Sequence, residues 1–319
     1  MPEFEGSVTG RLLRGYVFLM QTILMTGHLG LVGRYLKPLL ENHGFCIKGF
    51  DLADSTGDIT QESQLQEAMK GCNGVIHLAA VSRVIWGEED PERCWQTNAL
   101  GSEYLIKQVT ASTHKPWVLV ASSREVYGEA VNLPVNEETP RTPVNVYGRA
   151  KLHMETVTLQ ARKTGINTAV VRLANVYGCI DDHPDRVLPA FCHNAVTGKA
   201  LRVDGFKHLF DFTHISDTAD GIARMVEILD TGKVQLPPIH LLPGIGTTLQ
   251  QAAQLAVESS GGQSKIFEAQ SRSYDVSRFV GDPLLAKRLL GWQAQVTPQQ
   301  GIPLLVEAFK EKLNTRVST

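Results

Sequence analysis

Tyr147 and Lys151 are the pair of side chains in this sequence whose types and spacing best suit chemistry. They belong to a predicted helix from about Val146 to Lys163, which ends before Gly165, a usual C-terminal capping residue. Residues four apart lie on one helical face, one turn from each other. A phenol titrates near ~10, and a neighbouring ammonium group lowers that pKa. Such a pair can take the proton of an alcohol while another group takes the hydride, although an isolated Tyr-x-x-x-Lys is more often an exposed tyrosine beside a solvated lysine.

Ser123 and Glu125 are further candidates for catalysis, because they directly follow a predicted strand from Trp117 to Ala121. A hydroxyl and a carboxylate at a strand end can both act on a bound substrate. The alternative interpretations are a turn hydroxyl bonded to the backbone for Ser123 and a salt bridge for Glu125.

A glycine motif precedes these residues. Thr22–Met25 is a predicted strand, Gly27-x-x-Gly30-x-x-Gly33 follows at once, and a helical pattern comes next. In this strand–turn–helix context Gly27 permits a tight turn, Gly30 lets a pyrophosphate approach the backbone, and Gly33 lets the helix pack on the sheet. The helix N-terminus then faces the phosphates. The alternative is a glycine-rich turn that serves packing alone.

Asp51 ends the second predicted strand, Cys46 to Phe50. It lies about 20 residues after the glycines, where a carboxylate binds the adenosine ribose diol and repels a 2′-phosphate. The position favours NAD over NADP, and an ordinary turn aspartate is the alternative. Asp54 is a possible stand-in, and Asp58 and Ile59 are expected near the adenine.

The third predicted strand, from Gly74, runs into Ala79 and Ala80, whose small side chains let a cofactor lie across the strand end. His77 within this strand is interpreted as structural. Asn98 falls inside a predicted helix, an unfavourable place for Asn unless its amide is bonded, so we expect it to tie to a neighbouring backbone or loop.

The alternation of strands and helices predicts an α/β fold: a Rossmann doubly wound parallel sheet with a smaller C-terminal α/β substrate-binding lobe. Ligands bind at the carboxyl ends of the strands of such sheets. Gly27, Asp51, Ala79, Ser123 and Asn175 all fall at such ends. The expected division is an extension (1–21), a dinucleotide-binding domain (22–178, its sheet completed by 205–242) and a substrate-binding lobe (179–204 and 243–319).

Composition narrows the partners. The chain has 319 residues and a net charge of −2, so nothing indicates binding to nucleic acid or to an anionic membrane. No stretch is long and apolar enough for a membrane span. The five cysteines are scattered and are expected to be reduced, buried thiols of a cytoplasmic protein. The ten histidines show no pair at zinc spacing, so no metal is expected.

With these residues assembled, the chain resembles the extended short-chain dehydrogenase/reductase family, specifically the NAD-dependent nucleotide-sugar epimerases and dehydratases. The resemblance covers roughly Thr22 to Phe309. The motifs that carry it are T-G-H-L-G-L-V-G (Thr26–Gly33), H-L-A-A (His77–Ala80), S-S-R-E-V-Y-G (Ser122–Gly128), Y-G-R-A-K (Tyr147–Lys151), R-L-A-N-V-Y-G (Arg172–Gly178) and D-P-L-L-A-K-R-L-L-G-W (Asp282–Trp292).

The resemblance implies roles. Tyr147 is the base at a sugar hydroxyl, Ser123 bonds the same hydroxyl, and Lys151 binds the nicotinamide ribose. A hydride passes to NAD⁺, which leaves a 4-keto sugar. The implied cofactor contacts are Gly27, Leu29, Gly30, Leu31, Val32, Asp51, Asp58, Ile59, Leu78, Ala79, Ala80, Asn98, Ala121, Ser122, Tyr147, Lys151 and Leu173. The implied contacts to a nucleotide-diphosphate sugar are Ser123, Arg124, Asn175, Val187, Leu188 and Arg272, and the last aligns with the family's diphosphate arginine. A homodimer through the Tyr147 helix and the helix around Asn98 is also implied.

The sequence departs from the family pattern near the substrate. Phe210 stands where many relatives carry an arginine that clamps a phosphate, and Lys207 or His208 is a possible substitute. Asp204 stands where an aromatic residue often packs against the base. These departures leave the identity of the nucleotide open.

Glu125 leaves the reaction open. Dehydratases and decarboxylases that resemble the chain carry Glu at this position, and simple epimerases usually do not. The common 4,6-dehydratases also have Asp one residue earlier, where this chain has Arg124, and the additional arginine of the decarboxylases is not found. We favour an epimerase with Glu125 as an accessory residue, with an elimination or decarboxylation that uses Glu125 as the alternative. A non-catalytic NAD-binding protein is less favoured, because the Tyr147–Lys151 pair is kept, and an NADPH-dependent reductase conflicts with Asp51.

Overall fold

The computed structural model describes residues 11–13, 16–18, 20–232, 234–271 and 276–317. Arg272, implied to bind the diphosphate, lies outside these residues. Within the expected N-terminal extension, strands β1 (Arg11–Leu13) and β2 (Tyr16–Phe18) pair antiparallel.

The other described strands are β3 (Thr22–Thr26), β4 (Cys46–Phe50), β5 (Gly74–His77), β6 (Trp117–Ser123), β7 (Thr168–Leu173), β8 (Asn175–Tyr177), β9 (Leu201–Asp204), β10 (Leu209–His214), β11 (Ile239–Leu241), β12 (Gly246–Thr248), β13 (Ile266–Ala269) and β14 (Arg278–Phe279). The α-helices are α1 (Leu31–Asn42), α2 (Glu62–Ala68), α3 (Val84–Glu89), α4 (Pro91–Trp95), α5 (Gly101–Ala111), α6 (Val146–Gln160), α7 (Val187–Val196), α8 (Ile215–Asp230), α9 (Leu249–Ser260), α10 (Leu284–Leu290) and α11 (Pro298–Val317).

A six-stranded parallel sheet forms the centre of the larger lobe, in the order β11-β7-β6-β5-β3-β4. Its central strands are covered on both faces, and they therefore read as continuous apolar runs such as Val118, Leu119 and Val120. The strand order reverses between β3 and β5, and the crevice at such a reversal is where open α/β sheets bind ligands. The predicted Rossmann doubly wound fold is confirmed.

Helices cover both faces of this sheet. Helices α1, α8 and α10 bury Leu36, Ile222 and Leu290 against one face. Helices α2, α5 and α6 pack on the other, where Leu105 and Met154 are fully buried. Helix α6 therefore lies directly on the sheet, and its inner face reaches the carboxyl ends of the strands.

The smaller lobe is built on a second sheet, in which β10 pairs with β8, β12 and β14. The parallel pair β9–β13 and helices α7, α9 and α11 pack around it. Of the segment 205–242 that is expected to complete the larger sheet, β11 does so, whereas β10 lies in the smaller one. The reason is local: Phe210 packs into the smaller core, and the buried Asp211 carboxylate accepts N–H groups of Gly244 (3.1 Å) and Gly281 (3.3 Å).

The sequence predicts that Ser216 or Asp217 caps a helix that ends near Leu229, whereas helix α8 begins at Ile215. His214 is the N-cap, and its Nδ1 accepts the Ser216 N–H at 3.4 Å, so neither Ser216 nor Asp217 caps the helix. The Asp217 carboxylate instead accepts the N–H groups of Gln295 (3.1 Å) and Val296 (2.9 Å). It therefore ties α8 to the segment before the last helix.

The sequence predicts a closing helix from Pro303 to Leu313, whereas helix α11 begins at Pro298. Proline is favoured at the first helical position, and Pro298 takes that place after Thr297, whose N–H is bonded to the Gln300 side chain at 3.0 Å. Pro303 lies inside the helix.

The cysteines are free, but their predicted burial is only partly right. Cys72, Cys94 and Cys192 are buried, Cys179 is half-buried and Cys46 is exposed. Among the described residues, no helix combines the length and apolar character needed to cross a membrane. In the same part of the chain, no group of three or more His, Cys, Asp or Glu side chains is arranged to hold a metal ion.

Of the three buried histidines, His77 and His240 are almost wholly enclosed, at 1% and 0% exposed. His77 lies with Nδ1 2.7 Å from the Thr26 hydroxyl and Nε2 2.9 Å from the Ser102 hydroxyl, which confirms its structural interpretation. His240 lies with Nε2 2.6 Å from the Tyr127 hydroxyl. Burial lowers the pKa of each imidazole to about 3, so both are neutral at ordinary pH.

Candidate active site

A large cavity runs along the carboxyl edge of the six-stranded sheet and continues to the smaller lobe. Its volume is about 1480 Å³. Gly27, Asp51 and Ser123 line it from the larger lobe, and Leu188 and Phe210 line it from the smaller one. Because ligand sites of open α/β sheets lie at this edge, the cavity is the candidate active site.

At one end of the cavity lies the glycine turn, in which Gly27 and Gly33 are packed too closely against backbone atoms to carry a side chain. Gly27 has φ +73°, and a Cβ atom there would lie 2.5 Å from the Ala79 nitrogen. A Cβ atom on Gly33 would lie 2.5 Å from the Gly27 oxygen, so α1 approaches the turn closely because residue 33 has no side chain. Gly30 is the N-cap residue of α1, and the first turn of this helix lines the cavity. Its N–H groups have no intrahelical acceptor, and this cradle fits a pyrophosphate.

Asp51 lies beside the glycine turn and lines the cavity. Its Oδ2 accepts the Leu29 N–H at 3.0 Å and its Oδ1 accepts the Ala53 N–H at 2.9 Å. These bonds hold the carboxylate in place at the end of β4, where the sequence predicts contact with a ribose diol.

The proposed adenine neighbours, Asp58 and Ile59, also line the cavity. Asp58 is fixed because its Oδ1 accepts the Thr60 N–H at 2.9 Å. Asp54, the possible stand-in for Asp51, lies outside the cavity and pairs with His28 at 3.2 Å.

Asn98 is the cofactor-binding prediction that the structure does not place in the cavity. Its side chain is buried, with Oδ1 accepting the Val81 N–H at 2.7 Å and Nδ2 donating to the Val81 carbonyl at 2.9 Å. Asn98 lies in a π-helical turn, Gln96–Leu100, between α4 and α5. The expected bond to a loop is present and engages both the oxygen and the nitrogen of the amide. Asn98 therefore fixes the backbone at Val81, which lines the cavity after Ala80.

Apart from Asn98, the predicted site residues that the structure describes share this one cavity. They are Gly27, Leu29, Gly30, Leu31, Val32, Asp51, Asp58, Ile59, Leu78, Ala79, Ala80, Ala121, Ser122, Ser123, Arg124, Glu125, Tyr147, Lys151, Leu173, Asn175, Val187 and Leu188.

Helix α6 carries Tyr147 and Lys151 into the cavity. Asn145 caps the helix, because its Oδ1 accepts the Gly148 N–H at 2.7 Å. A Cβ atom on Gly148 would lie 2.5 Å from the Glu125 carbonyl oxygen, so the helix can approach the end of β6 this closely only with glycine there. The Lys151 Nζ lies 5.8 Å from the centroid of the Tyr147 ring.

The Tyr147 phenol is not acidified in this geometry. The net pKa of Tyr147 is raised to about 12: burial is the largest cause and the Glu125 carboxylate also raises it, while the hydrogen bond from Ser123 and the Arg186 guanidinium lower it. The expectation that the tyrosine–lysine pair lowers this pKa is therefore wrong here, because burial outweighs the neighbouring charges.

Lys151 is itself perturbed by burial, which lowers its pKa to about 8. The side chain is 3% exposed, and Nζ donates to the Ala121 carbonyl at 2.8 Å. The ammonium is thus held against the end of β6.

Glu155 ties the same helix to the sheet from behind. This fully buried carboxylate accepts a hydrogen bond from the Ser122 hydroxyl at 2.6 Å. It also receives Nε and Nη2 of Arg172 at 2.9 and 2.8 Å. Helix α6 is therefore fixed to β6 and β7 one turn beyond Lys151.

Glu125 is buried and bonded at both carboxylate oxygens. Oε1 lies 2.9 Å from Nη2 of Arg124, and Oε2 accepts Nδ2 of Asn145 at 2.8 Å. Its backbone N–H donates to the Ser123 hydroxyl at 3.2 Å. The salt bridge that the sequence leaves as an alternative for Glu125 is present.

Arg124 faces the substrate end of the cavity. Its guanidinium carbon lies 4.6 Å from the centroid of the Phe210 ring, and Nε is 3.4 Å from the Asn175 side-chain oxygen. Of the two substitutes named for the missing arginine, His208 lines the cavity and Lys207 lies outside it. Asp204, the other departure, lines the cavity and pairs with Arg202 at 2.8 Å.

Two residues of this site were missed by the sequence reasoning. Asn145 holds Glu125 and caps α6; its type and its place before the helix are the usual signature of an N-cap. Arg186 lies close enough to Tyr147 to lower its pKa and pairs with Asp182 at 3.3 Å. No sequence signal distinguishes Arg186 from other loop arginines.

Comparison with known proteins gives concordant matches. Residues 23–236 match the model of the NAD dependent epimerase/dehydratase family. UDP-glucuronic acid decarboxylase 3 of Arabidopsis thaliana is 28% identical over 255 residues, which cover 75% of this chain and 70% of that protein. UDP-glucose 4-epimerase of Corynebacterium glutamicum is 26% identical over 323 residues, which cover 92% and 97%. The crystal structure of a UDP-glucose 4-epimerase from Thermotoga maritima with UDP-glucose is similar with a TM-score of 0.84 and 26% identity, covering 92% of this chain and 100% of that one.

Proposed function

We propose a function for this chain, which belongs to the NAD dependent epimerase/dehydratase family. The proposed function is that of an NAD-dependent epimerase of nucleotide-diphosphate sugars that acts through a 4-keto intermediate. The observation that carries the proposal is the convergence of Tyr147, Ser123 and Lys151 on the cavity that begins at the glycine turn. The similar epimerases of Corynebacterium glutamicum and Thermotoga maritima support it.

The residues present fit the dinucleotide. The glycine turn and the first turn of α1 would hold its pyrophosphate, since both line the cavity and the N–H groups of that first turn have no intrahelical acceptor. Asp51 would bind the adenosine ribose, and Lys151 the nicotinamide ribose. When bound, NAD⁺ would supply the acceptor and later donor of the hydride.

Tyr147 would take the proton of the sugar's 4-hydroxyl, and Ser123 would bond the same oxygen. With a pKa of about 12 the phenol is almost wholly protonated at neutral pH. Each unit of pKa corresponds to about 1.4 kcal/mol, so ionisation at pH 7 would cost about 7 kcal/mol. Cations beside the phenol reduce this cost, and Arg186 is one that the structure already provides.

Glu125 bears on the choice between epimerisation and elimination. A base that removes the proton α to the ketone must turn a carboxylate lone pair toward that carbon. Both oxygens of Glu125 are bonded, one to Arg124 and one to Asn145. Because these bonds hold the carboxylate in place, the geometry favours an epimerase over a dehydratase that uses Glu125 as this base. Product analysis separates an epimerase from a decarboxylase, since a β-keto acid loses carbon dioxide without such a base.

We also propose that the six-stranded lobe binds the dinucleotide and the smaller lobe binds the sugar nucleotide. A homodimer would form through the outer faces of α5 and α6, and light scattering would then give twice the 35.0 kDa chain mass. The proposed location is the cytoplasm, where free cysteines such as those of this chain are usual.

The test combines cofactor content with product analysis. Denatured protein should release NAD, and a panel of nucleotide sugars should yield a product of unchanged mass that is inverted at C4 by NMR. Tyr147→Phe should abolish turnover, whereas Tyr35→Phe, on a partly exposed side chain outside the cavity, should not. Loss of water or carbon dioxide from the sugar would assign the alternative reaction, and full activity of Tyr147→Phe would refute the catalytic proposal.

A further inference from the structure

Glu125 is hydrogen-bonded both to Ser123 and to Asn145, the N-cap residue of the helix that carries Tyr147. On one side its own N–H donates to the Ser123 hydroxyl at 3.2 Å. On the other, its carboxylate accepts the Asn145 amide at 2.8 Å, two residues before Tyr147. A single residue therefore joins the end of β6 to the start of α6.

The orientation of the Asn145 amide is fixed by its partners. Oδ1 accepts the Gly148 N–H at 2.7 Å, which only the oxygen of an amide can do. The NH₂ group must then face Glu125, where it meets a carboxylate, an acceptor at every lone pair. Because the cap residue is bonded to Glu125, the first turn of α6 cannot shift along β6 without breaking this link.

We propose that Glu125 is a positioning residue, which holds the Tyr147 phenol against the Ser123 hydroxyl through Asn145, and is not the base that removes a proton next to the ketone. The inference rests on the proposed function for the identity of the reaction. Arg124 occupies the remaining oxygen of Glu125 and keeps the buried charge compensated.

The charge of Glu125 also acts on Tyr147. Ser123, Glu125, Cys94 and Arg186 act on the phenol, and the Lys151 Nζ lies 5.8 Å from the centroid of its ring. Of these groups, the Glu125 carboxylate raises the pKa of the phenol. Removing that charge while keeping the shape of the side chain should therefore lower the pKa of Tyr147. Substitution of a merely structural residue would not move this titration.

Glu125→Gln in the NAD-loaded protein separates the two roles. As a positioning residue, Gln still accepts the Asn145 amide, so kcat should stay within about tenfold of wild type, whereas loss of a general base costs about 10²–10⁴-fold. The pKa of Tyr147, measured from tyrosinate absorbance with Tyr147→Phe as the blank, should fall. Turnover in D₂O should leave no deuterium on the carbon next to C4.

Asn145→Ala tests the link itself. It should reduce kcat by up to about 10²-fold with KM nearly unchanged, because a small misplacement of a reacting group is enough for such a loss. The matched control is Thr248→Ala, which removes the N-cap of α9 outside the cavity. It should lower thermal stability to a similar extent and leave kcat and the titration of Tyr147 unchanged.

Three results would overturn the inference: deuterium next to C4, a loss of turnover in Glu125→Gln as complete as in Tyr147→Phe, or a Tyr147 titration that Glu125→Gln does not shift. Equal losses of kcat in Asn145→Ala and Thr248→Ala would overturn it as well. If the wild type converts no nucleotide sugar, the proposed function fails, and the absorbance titration of the same variants still decides whether Glu125 acts on Tyr147.

Discussion

Gly27→Ala is the sharpest test of the dinucleotide cradle, because two other glycines separate the two costs that it combines. Gly27 has φ +73°, and its added Cβ would lie 2.5 Å from the Ala79 nitrogen. Gly261, after α9, has φ +69° with no atom within 4 Å of the Cβ position. Gly33 has no left-handed φ, yet its Cβ would lie 2.5 Å from the Gly27 oxygen. Gly261→Ala therefore measures backbone strain alone, Gly33→Ala measures steric conflict alone, and Gly27→Ala combines the two.

The expected losses follow from these geometries. A left-handed backbone costs an L-residue about 1–2 kcal/mol, so Gly261→Ala should lower the free energy of unfolding by that amount. Overpacking costs about 1–3 kcal/mol, which is the expectation for Gly33→Ala. Gly27→Ala should lose the sum, about 2–5 kcal/mol, and still fold, because stabilities of about 5–15 kcal/mol are usual.

Urea unfolding followed by tryptophan fluorescence gives these free energies, and calorimetry gives the NAD affinity of each folded variant. NAD should bind at least about tenfold more weakly to Gly27→Ala and Gly33→Ala, a loss of about 1.4 kcal/mol or more. Gly261→Ala should bind NAD as wild type does. The account of the turn is refuted if Gly27→Ala is no less stable than Gly261→Ala, or if it binds NAD normally.

Other predictions concern the charges around this site. Glu155→Gln leaves the 1%-exposed Arg172 without its carboxylate partner, so the free energy of unfolding should fall by about 3–5 kcal/mol. Adding Arg172→Met should restore part of this free energy, and equal urea midpoints for the single and double variants would contradict the prediction. Lys151 has a folded pKa of about 8, below its unfolded value of 10.5, so the unfolded chain binds more protons between these pH values and stability should rise with pH across that window. Lys151→Met should therefore be more stable than wild type at pH 7, by at most about 3 kcal/mol, with the advantage gone by pH ~10.5 in urea titrations. Asp51→Asn removes the charge that repels a 2′-phosphate, so the calorimetric preference for NAD over NADP should fall at least about tenfold; an unchanged ratio would assign the selectivity elsewhere.

Much of the dinucleotide end of the site could be predicted from sequence because its signals are local. The spacing of Gly27, Gly30 and Gly33 between an apolar strand and a helix specifies the turn, and the structure has it there. The four-residue spacing of Tyr147 and Lys151 correctly places both on the inner face of α6.

The remainder depends on contacts that no local pattern contains. The Asn145 partner of Glu125 is 20 residues away, and the Gln295 partner of Asp217 is 78 residues away. The pKa of Tyr147 follows from burial, which spacing along a helix does not reveal. The family resemblance implies a cofactor contact for Asn98, whereas its side chain bonds to the backbone of Val81, 17 residues away.

His77 and His240, whose imidazoles are almost wholly buried, limit the stability of this protein at low pH and therefore the pH range of any assay. Each has a folded pKa of about 3, against 6.5 when unfolded. Between these pH values the unfolded chain binds more protons than the folded one, so stability falls as the pH is lowered. Each could withdraw up to about 4 kcal/mol of stability by pH 3, and the two together approach the whole stability of a usual domain. A falling rate at low pH would then report denaturation, and a kinetic pKa fitted to that limb would belong to no group in the catalytic cavity.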